Sequence, residues 1–157
     1  MGFTCPELDN SLSKYVKICW DYLTEQGIKE EEVEEIILKR LCKKFKSVQY
    51  KIECVNNANG QTAFVTWTFG TNTTKYGRAI SKAILETRKK NMAIFPKLVL
   101  LYHDDFHGEN APNHDIYLEC IKVSMNSIYP DYTSAMNGYM KEVYDRCGTI
   151  ISPMGQH

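Results

Sequence analysis

The sequence predicts an α/β protein whose strands run parallel and follow two helices, and three observations carry that prediction. Up to residue 55 the apolar positions recur at helical spacing in two long segments. Beyond residue 62 the period changes to two in "AFVTWTFG", and short apolar or β-branched runs return in "AIFPKLVLLY" and in Thr149-Ile150-Ile151. Helical patterns separate these runs, and a β-α-β-α-β rhythm is met by parallel strands joined through right-handed crossovers.

Taken in order, Leu12, Tyr15, Val16, Cys19 and Leu23 form one face of a first helix running from Asp9 to about Gln26. Asp9 or Asn10 would cap its start, and Gly27 would stop it. The segment "KEEEVEEIILKRLCKKFKSVQYKIECV" turns from acidic to basic along its length, which complements a helix dipole. Glu35 and Lys39 stand at i,i+4, and Leu41, Phe45, Val48, Ile52 and Val55 continue an apolar stripe. "NNANGQT" is a break of turn formers. In the strand 63–69, Val65, Trp67 and Phe69 point one way while Phe64, Thr66 and Thr68 point the other.

A helix over 74–90 presents Tyr76, Ala79, Ile80, Ala83, Ile84 and Thr87 on one face. The strand 95–102 is almost continuously apolar and should be buried on both faces, with Pro96 near its start where no ladder hydrogen bond is needed. A polar loop leads to a helix over 114–128 in which Leu118, Ile121, Met125 and Ile128 align, closed by Tyr129-Pro130-Asp131. "YTSAMNGYMKEVYDRCG" reads as irregular or helical, and a last strand near 148–152 delivers the tight loop Ser152-Pro153-Met154-Gly155. The helices before residue 57 and the strands from 58 to 157 are expected to form one continuous unit.

Nineteen basic and nineteen acidic residues cancel across 157 positions. No field of one sign is available to draw in nucleic acid or an anionic membrane. No apolar stretch approaches the ~20 residues of a membrane span, and Pro6 stands where a myristoylation motif at Gly2 requires Ser or Thr. A soluble, cytoplasmic protein is expected. The six cysteines Cys5, Cys19, Cys42, Cys54, Cys120 and Cys147 are far apart and form no C-x-x-C pair, so they read as reduced and mostly packed thiols.

His103, Asp104, Asp105, His107 and His114 form the densest cluster of potential metal ligands, but their spacing matches no metal motif. We expect no metal. Neither a P-loop nor a G-x-G-x-x-G turn is present. "FGTNTTKYG" could offer helix amides to an anion, although an ordinary N-cap is the simpler use.

Three stretches go beyond pattern: "NGQTAFVTWTFGT", then "AISKAILETRKK" running into "IFPKLVLLY", then "YPDYTSAMN" followed by "ISPMG". In their order and at nearly their spacing they resemble the central part of the anaerobic, class III ribonucleoside-triphosphate reductases. "LDNSLSKYVK" resembles, more weakly, the region just upstream. The resemblance implies part of the ten-stranded α/β barrel of glycyl-radical enzymes, with 63–69, 95–102 and 148–152 as consecutive staves and the helices outside.

It also implies an oxidoreductase chemistry, in which a radical held on a glycine passes to a cysteine inside the barrel, and that thiyl takes the ribose 3′-hydrogen. Formate supplies electrons, and a structural zinc sits in another part of the enzyme. The partners implied are a ribonucleoside triphosphate, a deoxynucleotide effector, a radical-generating activase, the remaining reductase segments, and a second copy paired through the first helix. Ser152, Pro153, Met154 and Gly155 would shape the substrate-facing loop. In the family that motif continues with the radical cysteine and an arginine, where this sequence has Gln156 and His157. The catalytic thiol is thus replaced, and no cofactor is expected within the chain. The match is lost just after Gly155, as an intervening sequence entering there would produce.

Cys147 cannot substitute for the missing thiol if the strand reading holds, since nine extended residues span ~30 Å. The expected function is therefore that of a reductase fragment, inactive alone. A different expectation is a non-catalytic module that pairs with or regulates a full-length reductase, or binds nucleotide. A small unrelated α/β enzyme using the His103–His114 loop is the third.

Overall fold

The computed structural model describes residues 2–55, 60 and 63–150. Four parallel strands form one sheet in sequence order: β1 (Gly2–Cys5), β2 (Phe64–Phe69), β3 (Lys97–Tyr102) and β4 (Asp131–Ser134). Two helices, α1 (Leu8–Glu25) and α2 (Glu30–Cys54), lie between β1 and β2. The crossover from β2 to β3 is α3 (Lys75–Lys90), and the short α4 (Asp104–His107) and α5 (His114–Ser124) join β3 to β4. A last helix, α6 (Gly138–Cys147), follows β4.

The alternation in β2 and β3 decides the layering. Val65, Trp67 and Phe69 of β2 with Leu98 and Leu100 of β3 face α1, α2, α3 and α5 and join the principal core. Val99 and Leu101 project from the other face, where Ala135, Ile150 and Tyr144 of α6 cover them. Burial of β3 on both faces is thus borne out. Each fully buried Leu, Ile or Phe contributes about 1.5–3 kcal/mol, so the larger helical face carries most of the stability. On α3 the expected face is correct: Ala79, Ile80, Ala83, Ile84 and Thr87 are buried.

Several expectations are corrected. Residues 148–150 form no strand: Gly148, at φ 69°, ends α6, and Ile150 packs against the sheet face. The remainder of the expected stave lies outside the described residues. The place beside β3 is taken by β4, whose Val99↔Asp131 and Tyr102↔Ser134 pairings fill that edge of the strand. "DYTS" carried no apolar alternation, because β4 is only half-buried and is held by its backbone ladder. β1 was missed for the same reason: "GFTC" is short and pairs with β2 at the sheet margin.

Helix faces shifted too. In α2 the buried positions are Val33, Ile37, Phe45 and Gln49, while Val48 and Val55 are exposed. Its glutamates reach α3 in Glu30–Lys75 and Glu34–Lys82 pairs of 2.6 and 3.2 Å. No Glu35–Lys39 pair forms among the described residues, since inter-helix partners define the charged face. Tyr15 and Cys19 of α1 are exposed, and Trp20 is buried instead. In α5 the aligned Leu118 and Ile121, with Met125 and Ile128 beyond its end, are exposed; Ile116, Cys120 and Val123 face the core.

Candidate functional site: the carboxyl edge of the sheet

In open parallel sheets, ligands sit outside the carboxyl ends of the strands, where successive loops converge. Here those loops are residues 6–7 after β1, 70–74 after β2, 103–107 after β3 and 135–137 after β4. The β1 and β2 loops are fixed by side chains from elsewhere in the chain.

The β2 loop is the most constrained. Gly70 adopts φ 113°, and a Cβ there would stand 2.4 Å from Leu100 Cδ1, so only glycine fits. Its N–H donates to Asp9 Oδ2 at 3.0 Å, and Asn72 N–H donates to the same oxygen at 2.9 Å. From the opposite side, Asn113 Nδ2 donates to the carbonyls of Gly70 (2.9 Å) and Asn72 (3.0 Å). Arg78 orients Asn113 through its Oδ1 at 2.9 Å and pairs with Asp115 at 2.6 Å. Asn72 Oδ1 accepts from Thr74 N–H, and Thr74 Oγ1 caps α3 by accepting from Gly77 N–H at 3.3 Å. The turn in "FGTNTTKYG" is therefore an N-cap. A Cβ at Gly77 would fall 2.2 Å from Asn72 Oδ1, so the loop needs glycine there as well.

Asp9 or Asn10 was expected as the cap of the first helix. Instead α1 begins one residue earlier, and Asp9 is fully buried with its carboxylate turned to the β2 loop. Burial raises its pKa above 3.8, opposed by the amides of Asn72 and Gly70. Oδ1 has no partner among the described residues. Glu7, at φ 44°, donates its N–H to Thr68 Oγ1 at 2.7 Å. Its carboxylate gathers Asn10 Nδ2 at 3.2 Å, Thr71 Oγ1 at 3.1 Å and Thr149 Oγ1 at 3.2 Å. The Thr149 bond brings that residue onto the carboxyl edge, while Ile150 seats on the face of β3 away from α1, α2, α3 and α5.

The β3 loop uses its polar groups internally. His103 Nδ1 accepts from Asp105 N–H at 3.1 Å, and Tyr102 Oη donates to Asp104 Oδ1 at 2.9 Å. His107 is fully buried, stacks on Tyr102 at 5.4 Å and has its pKa lowered by desolvation. Its Nε2 has no partner among the described residues. Nδ1 of His114 lies 2.8 Å from the His107 carbonyl oxygen. Among the described residues no three His, Cys, Asp or Glu side chains gather as a metal site would need.

Ser152, Pro153, Met154, Gly155 and Gln156 lie outside the described residues. Cys147, read as a packed residue, is exposed at the end of α6, and Cys19 and Cys54 are exposed too. Cys120 is buried and desolvation pushes its thiol pKa far up, so it stays protonated. The sequence reading missed Asp9, Glu7 and Asn113 as loop-holding residues. Only the glycine in "FGTN" signalled a backbone under constraint.

The arrangement offers a rim of hydroxyls, amides and one buried carboxylate. The family model for anaerobic ribonucleoside-triphosphate reductase matches residues 2–155. An anaerobic ribonucleoside-triphosphate reductase of Enterobacteria phage T4 is 33% identical over 98% of the chain, covering 27% of that protein. One from Haemophilus influenzae is 29% identical over 98% of the chain and 23% of its own length. One from Escherichia coli K12 is 33% identical over 71% of the chain and 16% of its own length. The chain thus spans about a quarter of the first two relatives. No helix among the described residues is long and apolar enough to cross a membrane.

Proposed function

This chain belongs to the anaerobic ribonucleoside-triphosphate reductase family, and we propose that it supplies the part of the reductase barrel on whose carboxyl edge the ribonucleotide sugar is held. The observation carrying the proposal is the Glu7–Thr149 bond, which holds Thr149, three positions before Ser152 in the sequence, at the loop ends of a parallel sheet. Ser152, Pro153, Met154 and Gly155 shape the substrate-facing loop. Asp9 and Asn113 hold the β2 loop in place from two sides, and a fixed rim of this kind is what positioning a sugar for hydrogen-atom transfer demands.

With Gln156 at the cysteine position, this chain supplies scaffold and substrate contacts, and the radical chemistry comes from elsewhere. The remaining reductase segments contribute the thiyl, the glycyl radical and the zinc module; the activase and formate complete the cycle. Because the sheet has open edges at β1 and β4 among the described residues, further staves close it there. A second copy pairs through α1, where Tyr15, Ile18 and Tyr22 are exposed. The chain alone is inactive.

The test is a chimera: the phage T4 relative with residues 2–155 of this chain in place of its matching segment. Activated anaerobically with formate, it should form 2′-deoxynucleotides, whereas the isolated chain should form none. A chimera that carries its glycyl radical and yields no deoxynucleotide would overturn the reading, as would turnover by the chain alone.

A further inference from the structure

A second polar site lies at the opposite, amino edge of the sheet. α3 and α5 run back from the carboxyl edge and end there, and β3 starts there. Between the helix ends is a pocket of about 370 Å³ lined by Arg88, Lys89, Met92, Lys122, Asn126 and Ser127. Arg88 is the anomaly. The residue is 1% exposed, yet among the described residues it has no carboxylate partner; Nη2 donates to the Pro96 carbonyl at 2.5 Å, and Nε and Nη1 have no partner there. Its guanidinium lies 5.9 Å from the Tyr129 ring centre. A buried guanidinium with unanswered N–H groups is costly unless an anion meets it.

The surrounding charge agrees. Lys89 and Lys122 both reach a single carboxylate, Glu119, at 3.5 and 3.4 Å. Lys97 is matched by Asp131, and Lys90 by Glu86. Glu53 acts on Arg88 from the adjoining hollow. Three cations against Glu119 and Glu53 leave one positive charge in excess. Burial draws the Arg88 pKa down to about 10, which still leaves it charged at pH 7. The pocket has room for roughly a dozen waters at ~30 Å³ each, more than a bare anion fills. It adjoins a hollow of about 220 Å³ lined by Glu53, Met92, Ala93, Ile94, Ser127 and Ile128.

We propose that this pocket binds a phosphorylated small molecule, its phosphoryl group on Arg88, Lys89 and Lys122 and its body against Met92 and Ile128. The site is separated from the carboxyl edge by the length of the sheet and does not depend on the reading given above. Phosphoryl oxygens are the acceptors that match an arginine flanked by lysines. Inorganic phosphate and a nucleoside monophosphate share this chemistry and differ in the body.

Calorimetric titration of the full chain with inorganic phosphate and, separately, with AMP tests the proposal at fixed ionic strength. Saturable binding of either is expected; tighter binding of AMP assigns the adjoining hollow to the ester body, and equal binding assigns recognition to the phosphoryl group alone. The exposed pair Lys89→Gln/Lys122→Gln should weaken binding roughly tenfold with an unchanged urea midpoint, and Arg88→Gln should abolish it. No heat from either ligand up to about 10 mM, or undiminished affinity in the double lysine variant, would overturn it.

Discussion

Replacing Asp9 by alanine removes the acceptor of two amides at once. Gly70 N–H and Asn72 N–H, 3.0 and 2.9 Å from the same carboxylate oxygen, have no second acceptor among the described residues. Hydrogen bonds to a charged group contribute about 1.5–3 kcal/mol each, and the burial that raises the Asp9 pKa offsets part of this, leaving a net loss of about 2–4 kcal/mol. With a urea slope of about 2 kcal/mol/M, the unfolding midpoint should fall by about 1–2 M, read from the fluorescence of the buried Trp20 and Trp67. Asp9→Asn keeps an acceptor oxygen without the charge and should stay within about 1 kcal/mol of the parent at pH 7. The sign with pH follows from a native pKa above 3.8: the native state binds the extra proton, so stability declines as pH rises from 3.8 through the raised value. Asp9→Asn should flatten that decline. An alanine variant as stable as the parent, or an asparagine variant as damaged as alanine, would refute the assignment of Asp9 as the loop's anchor.

His107, whose pKa burial lowers from 6.5, works in the opposite direction: its contribution is full above 6.5 and lost as pH falls through 6.5 toward the native value. His107→Gln should therefore be less sensitive than the parent to a shift from pH 7 to pH 5, as urea midpoints will show. Thr74→Ala, which removes the cap on Gly77 N–H, should cost about 1 kcal/mol by the same assay. Brief alkylation of the folded chain followed by mass spectrometry should label Cys19, Cys54 and Cys147 and spare Cys120. The free edge of β1 should make the purified chain self-associate, and Phe3→Lys, at an exposed β1 position, should lower the mass seen by light scattering.

The layered plan was legible because β2, α3 and β3 obey one period each over their whole length. "KLVLLY" is apolar on both faces because both faces are covered, and the α3 stripe is broad because three elements pack on it. Where burial is partial, periodicity lost its meaning. β1 and β4 are held by ladder hydrogen bonds that leave no pattern in "GFTC" or "DYTS". Leu118, Ile121, Met125 and Ile128 align as a core face would, yet they are exposed. At the site, the sequence named the loop that follows Ile151 from resemblance, and missed the residues that hold the rim. Asp9 lies 61 positions from Gly70, so their bond exists only once β1 and β2 are side by side. Arg88 stands beside two lysines in "TRKK", and nothing in that run distinguishes the one residue that the fold buries.

The central claim, that the carboxyl edge is where the ribonucleotide sits, is tested most directly by hydrogen–deuterium exchange on the chimera with and without a ribonucleoside triphosphate. Slowed exchange in residues 70–74, 103–107 and 135–137 and in the segment from 149 to 155 is the predicted result. Slowed exchange confined to residues 91–97 and 125–130 at the amino edge, with the loop ends unchanged, would contradict it.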